Sequence, residues 1–436
     1  MVVQAMWKTG LVVMLAVLGG CVVTVSPTIS ESDSMLAALR AGDVRLAYTE
    51  SENQLILHGT TEDLRPVLSA YFDRKGALGD AETWRRTEET TLPVSAPCFE
   101  PSAWHEADQL FHRDPHWIGA DGAFSIDLGD DRTLWLFADT WIDPSGKRAR
   151  KNGVIIRNSV AIQTGTDPSN ATIEFFWDTK ADNRPEAFFA REDDRWYWPG
   201  HGIRVDDRLV LFLNRLRSTD TGLGFQSDGW NAVMIMNPDD DPSSWQMKEL
   251  QSPSNQLGII VGFASVLEWR EHIYAFGSQS TVKSHPIYVA RWPLEKVRQG
   301  DMMAPEWWAG TDFGWVANVS STPRWPLFQN GQSEMTIHLD EVTGRILALH
   351  TRGFGPADIL MRAAPAIAGP WSAPRMLYRP PEYYKPNIMI YAAKSHPQLT
   401  GSDLVLTYAT NSFDFGEHLT NPLSYYPRFV RLTRCE

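Results

Sequence analysis

The sequence predicts an all-β chain, a five-bladed β-propeller preceded by a small α/β module and a lipoprotein signal peptide. Three observations predict it. From Cys98 onward, helix-period patterns nearly vanish. In their place, strand pairs with polar turns recur at intervals of roughly 55–80 residues, the spacing of propeller blades or repeat arrays. The two cysteines of this region, Cys98 and Cys435, stand at its two ends, where a disulfide would staple a closed ring; the alternative is two separately buried thiols.

Taken in order, residues 1–20 read as a signal peptide. Lys8 makes a weakly positive start, and Leu11 to Leu18 form an apolar run too short to span a bilayer. Leu18-Gly19-Gly20-Cys21 resembles a bacterial lipobox, so Cys21 is the expected lipidation site. Val22, not Asp, follows it. By resemblance to enteric lipoproteins this favours an outer-membrane lipoprotein, displayed on the periplasmic or cell-surface side. Residues 21–34 read as a tether and residues 35–86 as the α/β module. That module pairs strands Val44 to Thr49 and Gln54 to His58. An amphipathic helix follows over Thr61 to Arg74, with Leu64, Val67, Leu68 and Tyr71 on one face. Residues 87–97 are a polar linker, and 98–436 the propeller.

Within the propeller the repeated unit is a first strand, a tight turn and an apolar second strand ending in a polar residue. The five copies begin at Trp117, Trp196, Gly262, Ser333 and Ala393. The first is the clearest: AFSIDL, the turn GDDR, then TLWLFAD. Further strands follow most copies, NSVAIQTG from Asn158 and DILMRAA among them, which makes four strands per unit. The last run, Tyr425 to Arg434, is placed to pair with the start of the ring and close it.

Composition narrows the function. Hydrophobic residues make up 43% of 436, enough for a sizeable core, and the net charge of −13 argues against a nucleic-acid partner. The 18 Trp, 19 Phe and 12 Tyr suit either a β-rich core or a carbohydrate cleft lined with flat rings. No Cys/His cluster has zinc spacing, so neither a metal nor another cofactor is expected. His105, His112 and His116 read as a solvated loop entering the ring.

In a propeller, equivalent positions of the blades meet around one funnel. The first-strand positions are Asp121, His201, Phe263–Ala264, Glu334, and Lys394 with His396; the second-strand ends are Asp139, Asn214, Ser278, His350 and Asn411. Paired carboxylates on a funnel rim suit glycoside hydrolysis. One protonates the leaving oxygen, and the other activates water or attacks the anomeric carbon. Asp121, Asp139 and Glu334 are therefore the candidate catalytic residues. His201, Trp117, Trp198, Asn158, Lys394, His396 and Asn411 are the candidate substrate-binding residues, with Trp141 a further stacking platform. A neighbouring like charge would raise one carboxylate and separate proton donor from base.

GADGAFS with TLWLFADTWI, WYWPGHG, GPWSAP and YAAKSHP with YATNS together resemble a family of secreted bacterial five-bladed propellers, related to arabinanase and furanosidase glycoside hydrolases. The resemblance covers roughly Trp104 to Arg434. It implies polysaccharide hydrolysis, with an arabinan-like furanoside as one substrate, a monomer, and a channel that can admit Ca²⁺. Asp121 matches the first-blade acid and Asp139 the acid of the following strand. His201 departs from the pattern, where Asp is expected. That departure motivates the alternative of a non-catalytic carbohydrate-binding or envelope scaffold propeller.

Overall fold

A computed structural model describes residues 96–435, apart from 192, 221–223, 252, 254–257, 280–283, 318–324, 354, 400–402, 413 and 422–423, together with three earlier strands. The chain divides into two units, Met1–Leu92 and Pro93–Glu436. In the first unit, Arg45–Thr49 and Gln54–His58 pair antiparallel, and Val13–Met14 lies parallel to the latter. Cys21, the tether and the helices expected of the module lie outside the described residues.

The second unit is the five-bladed propeller. Its innermost strands are Trp117–Gly129, Arg195–Val205, Ile259–Trp269, Thr336–Asp340 and Ile388–His396, for blades one to five. Each touches the next, and the fifth touches the first, so the ring is closed. Every blade is an antiparallel meander, and in blades two to four the hydrogen-bonded order follows the chain. Successive side chains point to opposite faces of each strand, the second strands are apolar on both, and neighbouring blades bury those faces against each other. Arg132–Ile142, the second strand of blade one, is buried at most positions because it is sandwiched this way.

The ring closes on strands from both ends of the unit. Arg428–Arg434 is the third strand of blade five, and Phe99–Ala103 pairs with it as the fourth. Cys98 and Cys435, immediately outside that pair, form a disulfide. Blade three carries a fifth strand, Trp315–Val316. Tight turns hold the hairpins: Asp130 and Asp131 both have positive φ, 52° and 56°, the backbone of a two-residue turn that matches strand twist.

Most of the aromatic wealth is core. Phe111, Trp135, Phe137 and Phe429 pack edge-on or stacked where the closing strand meets blade one, and all are essentially fully buried. Each such burial contributes roughly 1.5–3 kcal/mol. The segment read as a solvated loop is instead a short helix, His105–Asp108, followed by a 3₁₀ turn. Leu110 and Phe111 drop into the core, and Asp108 accepts the Phe429 N–H at 2.7 Å, which pins the segment to the closing strand.

Candidate active site

The first halves of the inner strands carry the chemistry, because that is where their ladders break. In blade one the register slips four times, two of them on either side of Gly122 (Ala120/Gly122 and Gly122/Phe124), with Gly122 and Ala123 at positive φ. Blades two, three and five slip between Pro199 and Gly202, Val261 and Ser265, and Tyr391 and Lys394. A bulge re-aims side chains that regular pleating would send between blades.

Asp121 sits inside the blade-one irregularity. Its Oδ2 accepts a hydrogen bond from the Tyr391 hydroxyl at 2.6 Å, and the Tyr425 hydroxyl also bonds this carboxyl. Its Oδ1 is buried and has no partner. Burial, then the charges of Glu334 and Asp139, push the carboxyl up to about 8. A carboxyl in that state is a proton donor near neutral pH, titrating together with its neighbours.

Asp139, at the end of the second strand, takes the Trp198 indole N–H at 3.0 Å and lies 3.3 Å from Arg157 Nη1 through each oxygen. Burial raises it, and Arg157 pulls the other way. The Arg157 guanidinium in turn lies 4.4 Å above the Trp196 ring.

Glu334, just before the inner strand of blade four, lies 3.4 Å from Lys394 Nζ. Lys394 is fully buried and also donates to Gly122 O at 2.6 Å and Ala392 O at 3.3 Å, so one ammonium ties blades one, four and five together. Its Nζ lies 4.2 Å from the centre of the Phe124 ring. Burial lowers it, and Glu334 opposes that fall. Asn411 reaches the site through its Nδ2, which donates to the Tyr391 hydroxyl at 3.3 Å.

Several expected binding residues stand elsewhere. Trp117 is fully buried, with its indole N–H on Ser159 Oγ at 3.1 Å and its ring stacked on Phe175, so it is core and not a sugar platform. Trp141, 6% exposed, packs with Ile118 and Tyr425. Asn158 is fully buried; its amide donates to Phe189 O and Tyr197 O and accepts the Phe189 N–H, which leaves nothing for a ligand. His396 is fully buried between Ser125 Oγ at 2.5 Å and Thr407 Oγ1 at 2.8 Å, and is likewise structural. Trp198 does border the site, but it aims its N–H at Asp139, and Phe225 packs edge-on to its ring.

His201 is also placed differently from its sequence reading. Its Nδ1 accepts the Val266 N–H at 2.8 Å, so its Nε2 carries the proton and donates to Ser125 O at 3.0 Å. Burial lowers it to about 4, and it remains a neutral bridge between blades one and three. Among the second-strand ends, Asn214 is occupied by Ser227, and the His350 Nε2 accepts from Arg362.

A cavity of about 1050 Å³ opens at the other end of the inner strands, lined among others by Ser125, His201, Ser265 and His338. None of the three carboxylates lines it. The convergence of charge, and not this cavity, marks the candidate site. Among the described residues no three His, Cys, Asp or Glu side chains are grouped to hold an ion.

Tyr391, Tyr425 and Arg157 complete the site and were not singled out from the sequence. Tyr391 stands three residues before Lys394 on the same inner strand, which was the available signal. Tyr425 and Arg157 lie outside the repeated hairpins and carry none.

Among solved structures, a protein of Bacteroides ovatus ATCC 8483 provisionally named a hydrolase superposes with a TM-score of 0.59 at 20% identity, over 78% of this chain and 93% of its own. That likeness shows the shared five-bladed fold. An endo-arabinase of Bacteroides thetaiotaomicron VPI-5482 (TM-score 0.41, 14% identity, 73% and 94% covered) is more distant. So is the catalytic domain of an α-L-arabinofuranosidase of Coprinopsis cinerea (0.42, 12%, 78% and 95%). No curated protein matches in sequence. Residues 105–434 match one family throughout, from the helix that precedes blade one to the closing strand, and the chain thereby belongs to the family described as a domain of unknown function, DUF5005.

Proposed function

We propose that the chain is a glycoside hydrolase that cleaves a glycosidic bond in a polysaccharide, with an arabinan-like furanoside among its substrates. The observation that carries this reading is the state of Asp121. It is a carboxyl raised by burial and by two neighbouring carboxylates, with one oxygen unpartnered. Glycoside hydrolysis needs that kind of group beside an ionised partner. Asp121 would deliver its proton from Oδ1 to the leaving oxygen. Glu334, facing the Lys394 ammonium, would activate water or attack the anomeric carbon. Asp139, fastened by Arg157 and Trp198, supplies charge that keeps the proton on Asp121. No cofactor is needed for these steps.

The competing reading, a non-catalytic binding or scaffold propeller, drew its motive from His201. That residue bridges two backbone groups outside the carboxylate cluster, which supports reading the three carboxylates without it. The test is a polysaccharide hydrolysis screen, arabinans included, of wild type beside Asp121→Asn. Product from the wild type alone supports the reading; equal product from both refutes the role of Asp121. We infer further that Cys21 is acylated and anchors a monomer to the outer membrane. Cys21→Ser should then move the protein from the membrane to the soluble fraction, and retention in the membrane would exclude it.

A further inference from the structure

We propose that Tyr391, seconded by Tyr425, is a positioning residue for Asp121: the Tyr391 hydroxyl occupies Oδ2, so the proton is presented from Oδ1. This rests on the hydrolase reading above. The direction of the Tyr391 hydrogen bond follows from its surroundings. Asn411 Oδ1 accepts the Ser412 N–H at 2.7 Å, which orients the amide and turns Nδ2 towards Tyr391. An amide N–H can only donate, so the tyrosine oxygen accepts there and its own proton goes to Asp121 Oδ2, 2.6 Å away. Oδ1 is then the atom left free.

Tyr425 is held to the same purpose by its backbone. It stands at φ 60°, and its carbonyl oxygen lies 2.5 Å from where a Cβ on Gly119 would be, so only glycine admits this approach two residues from Asp121. Arg150 fastens the segment. Its Nη1 donates to Ser424 Oγ at 2.8 Å, while Nε and Nη2 donate to Ile118 O at 3.0 and 2.9 Å. Asp121 belongs to blade one, Tyr391 to blade five and Tyr425 to the segment leading into the closing strand. The acid is therefore aligned by closure of the ring itself.

The experiment is a carboxyl ¹³C NMR titration of the full chain, wild type and Tyr391→Phe, with Asp121→Asn to assign the signal. A phenol that donates to a carboxylate favours its ionised form, so its loss should move the Asp121 titration to higher pH by about one to two pH units. Tyr425→Phe should move it in the same direction. On a cleaved polysaccharide, Tyr391→Phe should lower kcat with KM nearly unchanged and shift the alkaline limb upward. An Asp121 titration unmoved by Tyr391→Phe overturns the proposal. A chain that shows the shift yet cleaves no glycan refutes the hydrolase reading and leaves the positioning role standing.

Discussion

Asp121→Asn should stabilise the protein while it removes activity, and the gain should depend on pH. The folded chain holds the Asp121 proton up to about pH 8, whereas the ordinary value is 3.8. Below roughly pH 4 both folded and unfolded chains are protonated here, and the group contributes no difference. Between those values only the folded chain carries the proton. Unfolding then releases it, and stability falls as pH rises, by about 1.36 kcal/mol per pH unit. Over some four pH units the ceiling is about 6 kcal/mol. Buried Asp139 lies in the same field and its carboxyl is also raised, so a difference below that ceiling, on the order of 2–4 kcal/mol, is expected above pH 8. Asn keeps the shape and still accepts from Tyr391, without the charge. Guanidinium unfolding followed by tryptophan fluorescence, in steps between about pH 4 and pH 9, measures the difference between variant and wild type. It should be near zero at the acid end and rise to a plateau above pH 8. A difference that is flat with pH, or that falls with rising pH, would refute the buried, protonated Asp121.

Three further outcomes are expected. Replacing Cys98 and Cys435 together by Ser opens a loop spanning 337 positions. On the chain-entropy account this costs about 5–6 kcal/mol, read as a lowered midpoint in a denaturant melt; an unchanged midpoint would show that the paired strands close the ring alone. Glu334→Gln strands the buried Lys394 ammonium on two carbonyl oxygens and should destabilise by roughly 3 kcal/mol. Because burial lowers Lys394, that penalty should shrink as alkaline pH removes its proton, and a penalty constant with pH would contradict the pairing. His201→Leu leaves Ser125 O and Val266 N–H without partners and should cost about 2–4 kcal/mol. Its activity per folded molecule should match wild type, and a selective loss of turnover would return His201 to the reaction.

Bounded apolar runs, tight turns and the recurrence of one hairpin were sufficient to read the five-bladed ring in the sequence, because strand pairing is local and leaves its pattern in each hairpin. The same recurrence brought Asp121, Asp139, Glu334, Lys394 and Asn411 forward as one set, and the folded chain gathers them at one end of the inner strands. What recurrence could not convey is orientation. His201 and His396 hold matched positions, yet bulges and blade contacts turn them onto backbone and hydroxyl partners. Trp117 and Asn158 are polar-edged residues near the rim in sequence, but blade-on-blade packing buries them completely. Tyr391 and Tyr425 meet Asp121 from the far end of the chain, more than 260 positions away, and only closure of the ring brings them there. Residue type and spacing were enough to say which side chains could do acid–base chemistry and where the paired strands recur. Tertiary structure alone decided which carboxyl is desolvated among like charges and which of its oxygens is left unpartnered, since these depend on groups brought from blades that are distant in sequence.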